Sequence, residues 1–242
     1  MKLLKIIPFL SILLASQIQN DQVVLESDKI LQVLSECPPM KLNANSNIII
    51  SMPSLNGSLK KFRMFYSPVM PPSLIKKYPE IRTYTGIGLE NPSERVSVTV
   101  GKDKIKVMIL GSDGTVFIEP VKDGMDLYRI SKTEMGAPVS RNCAQCENDD
   151  AIEREGGASS RTTRNFPSCV GEAEPCYSIG DTLVTFRFAG ILTAEANNEV
   201  GGGNVFGGLT WMNAMVNQVN LLWVRELSFR LELIEDSDVL DR

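Results

Sequence analysis

The stretch from Arg95 to Glu119 restricts the possible folds of this chain more than any other. Three short runs, Arg95–Val100, Lys104–Leu110 and Val116–Glu119, are separated by Gly101-Lys-Asp103 and Gly111-Ser-Asp-Gly114. Glycine and aspartate are what tight reversals require, so the stretch reads as a three-strand meander. In the first run Val96, Val98 and Val100 alternate with Ser97 and Thr99, a period of two that predicts one buried face. Asn47–Met52 and Lys61–Tyr66 read as further strands, with the turn signal Asn56-Gly-Ser58 between them. That tripeptide is also, formally, an N-glycosylation sequon, though many loops contain it by chance. The chain from Asn47 to Ile130 is therefore expected to be mostly β.

The chain opens on Met1-Lys2-Leu-Leu-Lys5, a short basic region, and Ile6 to Ala15 is an apolar run that ends in Ser16, Gln17 and Gln19. A spanning helix needs about 20 apolar residues, and this run stops well short. It reads as a secretory signal peptide over residues 1–20, and no later stretch is long and apolar enough to span a bilayer. The expected location is secreted or extracytoplasmic. Five cysteines, Cys37, Cys143, Cys146, Cys169 and Cys176, then enter an oxidising compartment where disulfides persist, and an odd number leaves at least one unpaired. The net charge is -4 and the basic residues are scattered, so nothing resembles the footprint of a nucleic-acid binder.

After Ser131 the composition turns polar, and residues 151–180 read as a linker of the kind where domains join. From Asp181 the pattern becomes α/β. Thr182–Leu192 is an apolar strand with Val184, Phe186 and Phe188 on one face. A helix follows in which Leu209, Met212, Met215, Val216, Val219, Leu222 and Trp223 recur at three- and four-residue spacing. Leu227, Phe229, Leu231 and Leu233 then alternate with polar residues as a second strand. This is one βαβ unit with parallel strands, and one unit cannot cover both faces of a parallel sheet. The glycines at Gly201-Gly-Gly203 miss the dinucleotide spacing, because the third place falls on Phe206, and they read as a flexible connection into the helix.

Chemistry is constrained by what is missing: the chain contains no histidine, which excludes the usual serine-hydrolase base. The carboxylates Glu195, Glu199, Glu226, Glu232, Glu235, Asp236 and Asp238 show no spacing that singles out an acid and base pair. Cys143-Ala-Gln-Cys146 is a C-x-x-C pair that fits a redox motif, half a zinc site or two linker cysteines. Cys169 and Cys176 enclose a short proline-containing loop, and a bridge between them is the expectation over metal.

Two groups of residues carry a resemblance. Ser67-Pro-Val-Met70, Tyr78-Pro-Glu-Ile-Arg-Thr-Tyr84-Thr-Gly86-Ile-Gly88 and Val107-Met-Ile-Leu-Gly-Ser-Asp-Gly-Thr-Val116 resemble the propeptide of secreted bacterial zinc metalloproteases of the reprolysin family. Thr185-Phe-Arg-Phe-Ala-Gly-Ile-Leu-Thr-Ala-Glu195, with Gly201-Gly202, Met212, Asn213, Val216, Asn217, Val219, Glu226 and Leu227, is similar to the first strand, helix and second strand of their metzincin catalytic domain.

The resemblance implies an α+β chain in four parts. Residues 1–20 are a signal peptide, 21–150 a β-rich propeptide, 151–180 a linker, and 181–242 the truncated start of an α/β metzincin catalytic domain, its first βαβ unit. It implies a metalloendopeptidase whose zinc is held by the histidines of H-E-x-x-H-x-x-G-x-x-H, with protein or peptide substrates. Those histidines would lie beyond Arg242, so the chain alone is expected to be inactive, its partner in cis being the remainder of the catalytic domain. Structural calcium is conceivable from the family, with no ligand to nominate. Cys143 or Cys146 falls where a propeptide cysteine switch would occupy the zinc, against the disulfide reading of the same residues. The alternative function is a secreted, non-enzymatic β-rich binding or protease-inhibitory module.

Overall fold

A computed structural model describes residues 21–40, 45–102, 104–111, 114–121, 126–133 and 182–235. In chain order the elements are β1 (Gln22–Val24), α1 (Ser27–Ser35), β2 (Ile49–Pro53), β3 (Leu59–Tyr66), α2 (Pro72–Lys77) and β4 (Arg82–Gly88). They continue with β5 (Arg95–Gly101), β6 (Lys104–Gly111), β7 (Gly114–Pro120), β8 (Leu127–Thr133), β9 (Val184–Phe188), α3 (Ala194–Val200), α4 (Val205–Leu227) and β10 (Phe229–Leu233). The molecule is α+β and rich in β structure, as the sequence implied.

Eight strands form one antiparallel sheet in the order β1-β8-β7-β6-β5-β4-β3-β2. The expected meander is its centre, β5 to β7. Register explains the core: Tyr66, Tyr84, Val98, Val107, Ile118 and Ile130 are opposite one another across six strands. On the same face Ile30 and Leu34, one helical turn apart in α1, join Val96, Met52, Phe62 and Tyr128 in a single apolar cluster. Each such side chain contributes roughly 1.5–3 kcal/mol when fully buried. Tyr128 can lie fully buried there because its hydroxyl shares a 2.7 Å hydrogen bond with Ser27 Oγ.

The segment of β4 is not among the runs read as strands from the sequence, because its glycines lower strand propensity. The fold supplies their reason: a Cβ at Gly86 would stand 2.5 Å from Met64 Sδ and 2.7 Å from Val96 Cγ1. Glycine marks the place where neighbouring side chains crowd the strand.

The C-terminal strands β9 and β10 pair in parallel, Phe229 opposite Val184 through Leu233 opposite Phe188, with α4 between them in sequence. The expected βαβ arrangement is present, with the short helix α3 added. Asn204 caps α4 by accepting from Gly207 N at 2.8 Å, and Ser228 at φ 54° turns the chain directly into β10.

One expectation is corrected here. The alternation in β5 predicts one buried face, yet Ser97 and Thr99 on the other face are each only 2% exposed as well. Helix α4 lies across that face, so both faces of the central strands are covered.

Candidate functional site

The contact between α4 and the sheet is built from polar residues as much as apolar ones. Thr83 is opposite Thr99 and Thr85 opposite Ser97, which places four hydroxyls together on the face beneath α4. Thr83 Oγ1 donates to Ser67 O at 2.7 Å and accepts from Val69 N at 3.2 Å, while Thr85 Oγ1 donates to Val96 O. From the helix, Asn217 reaches into this patch. Its Nδ2 donates to Tyr84 O at 3.3 Å, Val98 O at 3.2 Å and Thr99 Oγ1 at 3.2 Å, with the residue 3% exposed. A short amide thus bonds to backbone of two adjacent strands, a contact that only a correctly placed helix makes.

On either side of Asn217 the fit is by size. A Cβ at Gly101 would stand 2.2 Å from Thr210 Cγ2, so the glycine ending β5 lets the helix approach. At the other end Leu221 packs against Met108 and Leu110 of β6. Asn213, between Thr210 and Asn217, is buried; its Nδ2 donates to Leu209 O at 2.8 Å, and its Oδ1 has no partner. A buried acceptor without a donor is a cost the surrounding packing must offset.

A second face of α4 joins the helix to β10 and to the segment after β3. Asn220 donates to Leu231 O at 2.9 Å and accepts from Leu231 N at 2.7 Å, standing in for a neighbouring strand. Leu233 N donates to Val69 O at 2.8 Å, and the Arg230 guanidinium donates to Pro68 O. Val69, Met70, Leu74 and Ile81 share an apolar cluster with Leu209, Met212, Val216 and Leu233. Ser67–Met70 and Tyr78–Gly88, singled out in the sequence, are therefore brought against Met212, Val216 and Asn217, singled out separately.

The glycine loop differs from the flexible connection expected of it. A Cβ at Gly207 would stand 1.9 Å from Gly201 O, and one at Gly201 would stand 2.1 Å from Asn197 Oδ1 and 2.5 Å from Gly208 N. These glycines permit close backbone approach of the loop to the first turn of α4. The outer side of the unit is open: β9 pairs only with β10 among the described residues, and Val184, Phe186 and Phe188 are each about two fifths exposed. Trp223 and Leu227 of α4 and Phe229 of β10 are exposed as well, and Phe186 meets Phe229 edge to face at 5.0 Å.

At the C-terminal end of α4 two cations meet. Arg95 donates to Pro92 O and Arg225 to Ser93 O, on consecutive carbonyls. Burial, and then the nearby Arg225 charge, hold the Arg95 guanidinium below its ordinary value.

Cys143, Cys146, Cys169 and Cys176 lie outside the described residues, as does the linker at 151–180. Among the described residues Cys37 is a free, half-buried thiol, pushed up to about 12 by burial and then by Glu36. It is protonated at neutral pH and suited neither to attack nor to metal ligation. The described carboxylates and thiol form no group of three able to hold a metal, so these residues do not fit a zinc site. No helix among the described residues is long and apolar enough to cross a membrane. No protein-family model matches this chain, and neither a curated protein nor a solved structure matches it.

Proposed function

We propose that this chain is the N-terminal part of a secreted zinc metalloendopeptidase precursor, in which the β-rich domain holds the first βαβ unit of the catalytic domain rather than performing catalysis. The observation that carries the reading is the seating of α4 on β4 and β5 through Asn217, with Ser67–Met70 gripping β10. A domain whose task is to hold a nascent α/β unit needs such a contact, specific in register and made by polar as well as apolar groups. The open edge of β9 and its exposed Val184, Phe186 and Phe188 fit a unit that further strands and helices cover in the whole enzyme. The chain's own residues position and shield; zinc, when bound by the complete enzyme, would supply the activated water.

Sequencing the source transcript in frame past codon 242 tests this. The reading expects H-E-x-x-H-x-x-G-x-x-H in the continuation; an open frame that closes without it contradicts the reading.

One observation favours a second reading, a secreted non-enzymatic binding or protease-inhibitory module. Helix α4 and β10 already share a buried core with the β-rich domain, as they would in a self-sufficient protein.

A further inference from the structure

We propose that Asn56 is an N-linked glycan acceptor, a modification separate from any proteolytic role. Asn56-Gly57-Ser58 is the one Asn-x-Ser/Thr tripeptide in the sequence whose middle residue is not proline. By itself such a tripeptide says little; its geometry says more. It forms the tip of the β2–β3 hairpin, where Asn56, Gly57 and Ser58 are all exposed. Asn56 Oδ1 accepts from Ser58 N at 3.0 Å and from Ser58 Oγ at 2.7 Å, an Asx turn in which the hydroxyl bonds the side-chain amide it must activate. Donation to Oδ1 draws electron density from the amide and makes an Nδ2 proton easier to lose.

The turn is closed locally by Gly57 N donating to Ser54 O and by Gly57 at φ +80°, with nothing within 4 Å of where its Cβ would stand. Its geometry depends on five consecutive residues, so it can form on an exported chain before the sheet is complete. In the finished fold Asn56 lies at the rim of a depression of about 200 Å³ beside Leu55, Ile109, Val116 and Lys132. A sugar there displaces no core side chain. Asn91-Pro92-Ser93 offers an internal contrast: Ser93 Oγ donates to Asn91 Oδ1 at 2.6 Å, the same turn, but its proline makes the tripeptide a non-acceptor.

The transfer balances with a polyprenyl-pyrophosphate-linked oligosaccharide as donor. Asn56 Nδ2 forms a bond to sugar C1, the C1–O bond breaks, the lipid pyrophosphate leaves with the electron pair, and one Nδ2 proton passes to the transferase base. The proposal rests on the export reading, and the test separates the two. The full chain is expressed in eukaryotic secretory cells with its own leader and, in parallel, with a borrowed leader of proven export; products are treated with a peptide N-glycosidase and mapped by mass spectrometry. The expected result is one glycan per chain at Asn56, lost completely in Asn56→Gln and Ser58→Ala and retained in Ser58→Thr. Glycan on the borrowed-leader chain alone supports the site and refutes the leader. Folded chain recovered from the lumen under either leader with Asn56 bare overturns the proposal.

Discussion

Asn217 is the residue on which the arrangement of the two parts depends. Replacing it with alanine removes the donor to Tyr84 O and Val98 O while leaving those groups buried, and is expected to cost about 1–3 kcal/mol. Asn217→Asp sets a carboxylate against the same carbonyls, and the loss should rise to about 3–5 kcal/mol, as for an uncompensated buried charge. Urea unfolding of the two variants measures both. Titration supplies a further expectation. The Cys37 thiol is raised from 9.0 to about 12 and the Tyr84 phenol from 10.0 to about 12, in both cases first by burial. Between those limits the unfolded chain releases protons that the native chain keeps, so the stabilisation is complete below pH 9.0 and is lost as pH rises toward about 12. Unfolding midpoints measured across that window should fall steadily; a flat profile would contradict the burial of the Cys37 thiol and the Tyr84 phenol. Asn217 and Tyr84 both belong to segments named in the sequence, but their contact was not readable there. An asparagine on an otherwise apolar helix and a tyrosine in a β run acquire their roles only through residues distant in the chain.

At the level of elements, the glycine loop before α4 gives the sharpest sign test. Exposed helical glycines usually gain about 1 kcal/mol when changed to alanine. Gly207→Ala is expected to destabilise instead, because its Cβ would stand 1.9 Å from Gly201 O, and thermal melts read the sign directly. The legibility of the elements follows the same division between local and distant causes. The meander β5 to β7 and the strand, helix, strand order at the C-terminus were readable, since turn glycines and hydrophobic period are local signals. Strands β1 and β4 were not, because a three-residue strand and a glycine-bearing strand carry little periodicity of their own; helix α1 was missed although Ile30 and Leu34 recur one turn apart, since nine residues are short for a helix to declare itself. The burial of the polar face of β5 was not readable for an equally plain reason: period-two alternation records side-chain chemistry and cannot register a helix that arrives with its own asparagine.

For the whole molecule, the central claim is that the βαβ unit and the eight-stranded sheet form one cooperative body joined through α4. The shared cluster of Val69, Leu74 and Ile81 with Leu209, Met212 and Leu233 supports it, while Val184, Phe186 and Phe188 of β9 stay exposed. The two tryptophans of the chain, Trp211 and Trp223, both lie in α4, which makes helix docking visible separately from the sheet. The most direct measurement is equilibrium urea unfolding followed at once by tryptophan fluorescence and by the far-ultraviolet circular dichroism of the sheet. The account predicts one midpoint for both signals, shifted equally by Asn217→Ala. A fluorescence transition complete at lower urea, with the sheet signal unchanged, would show that α4 folds and leaves independently and would contradict the claim.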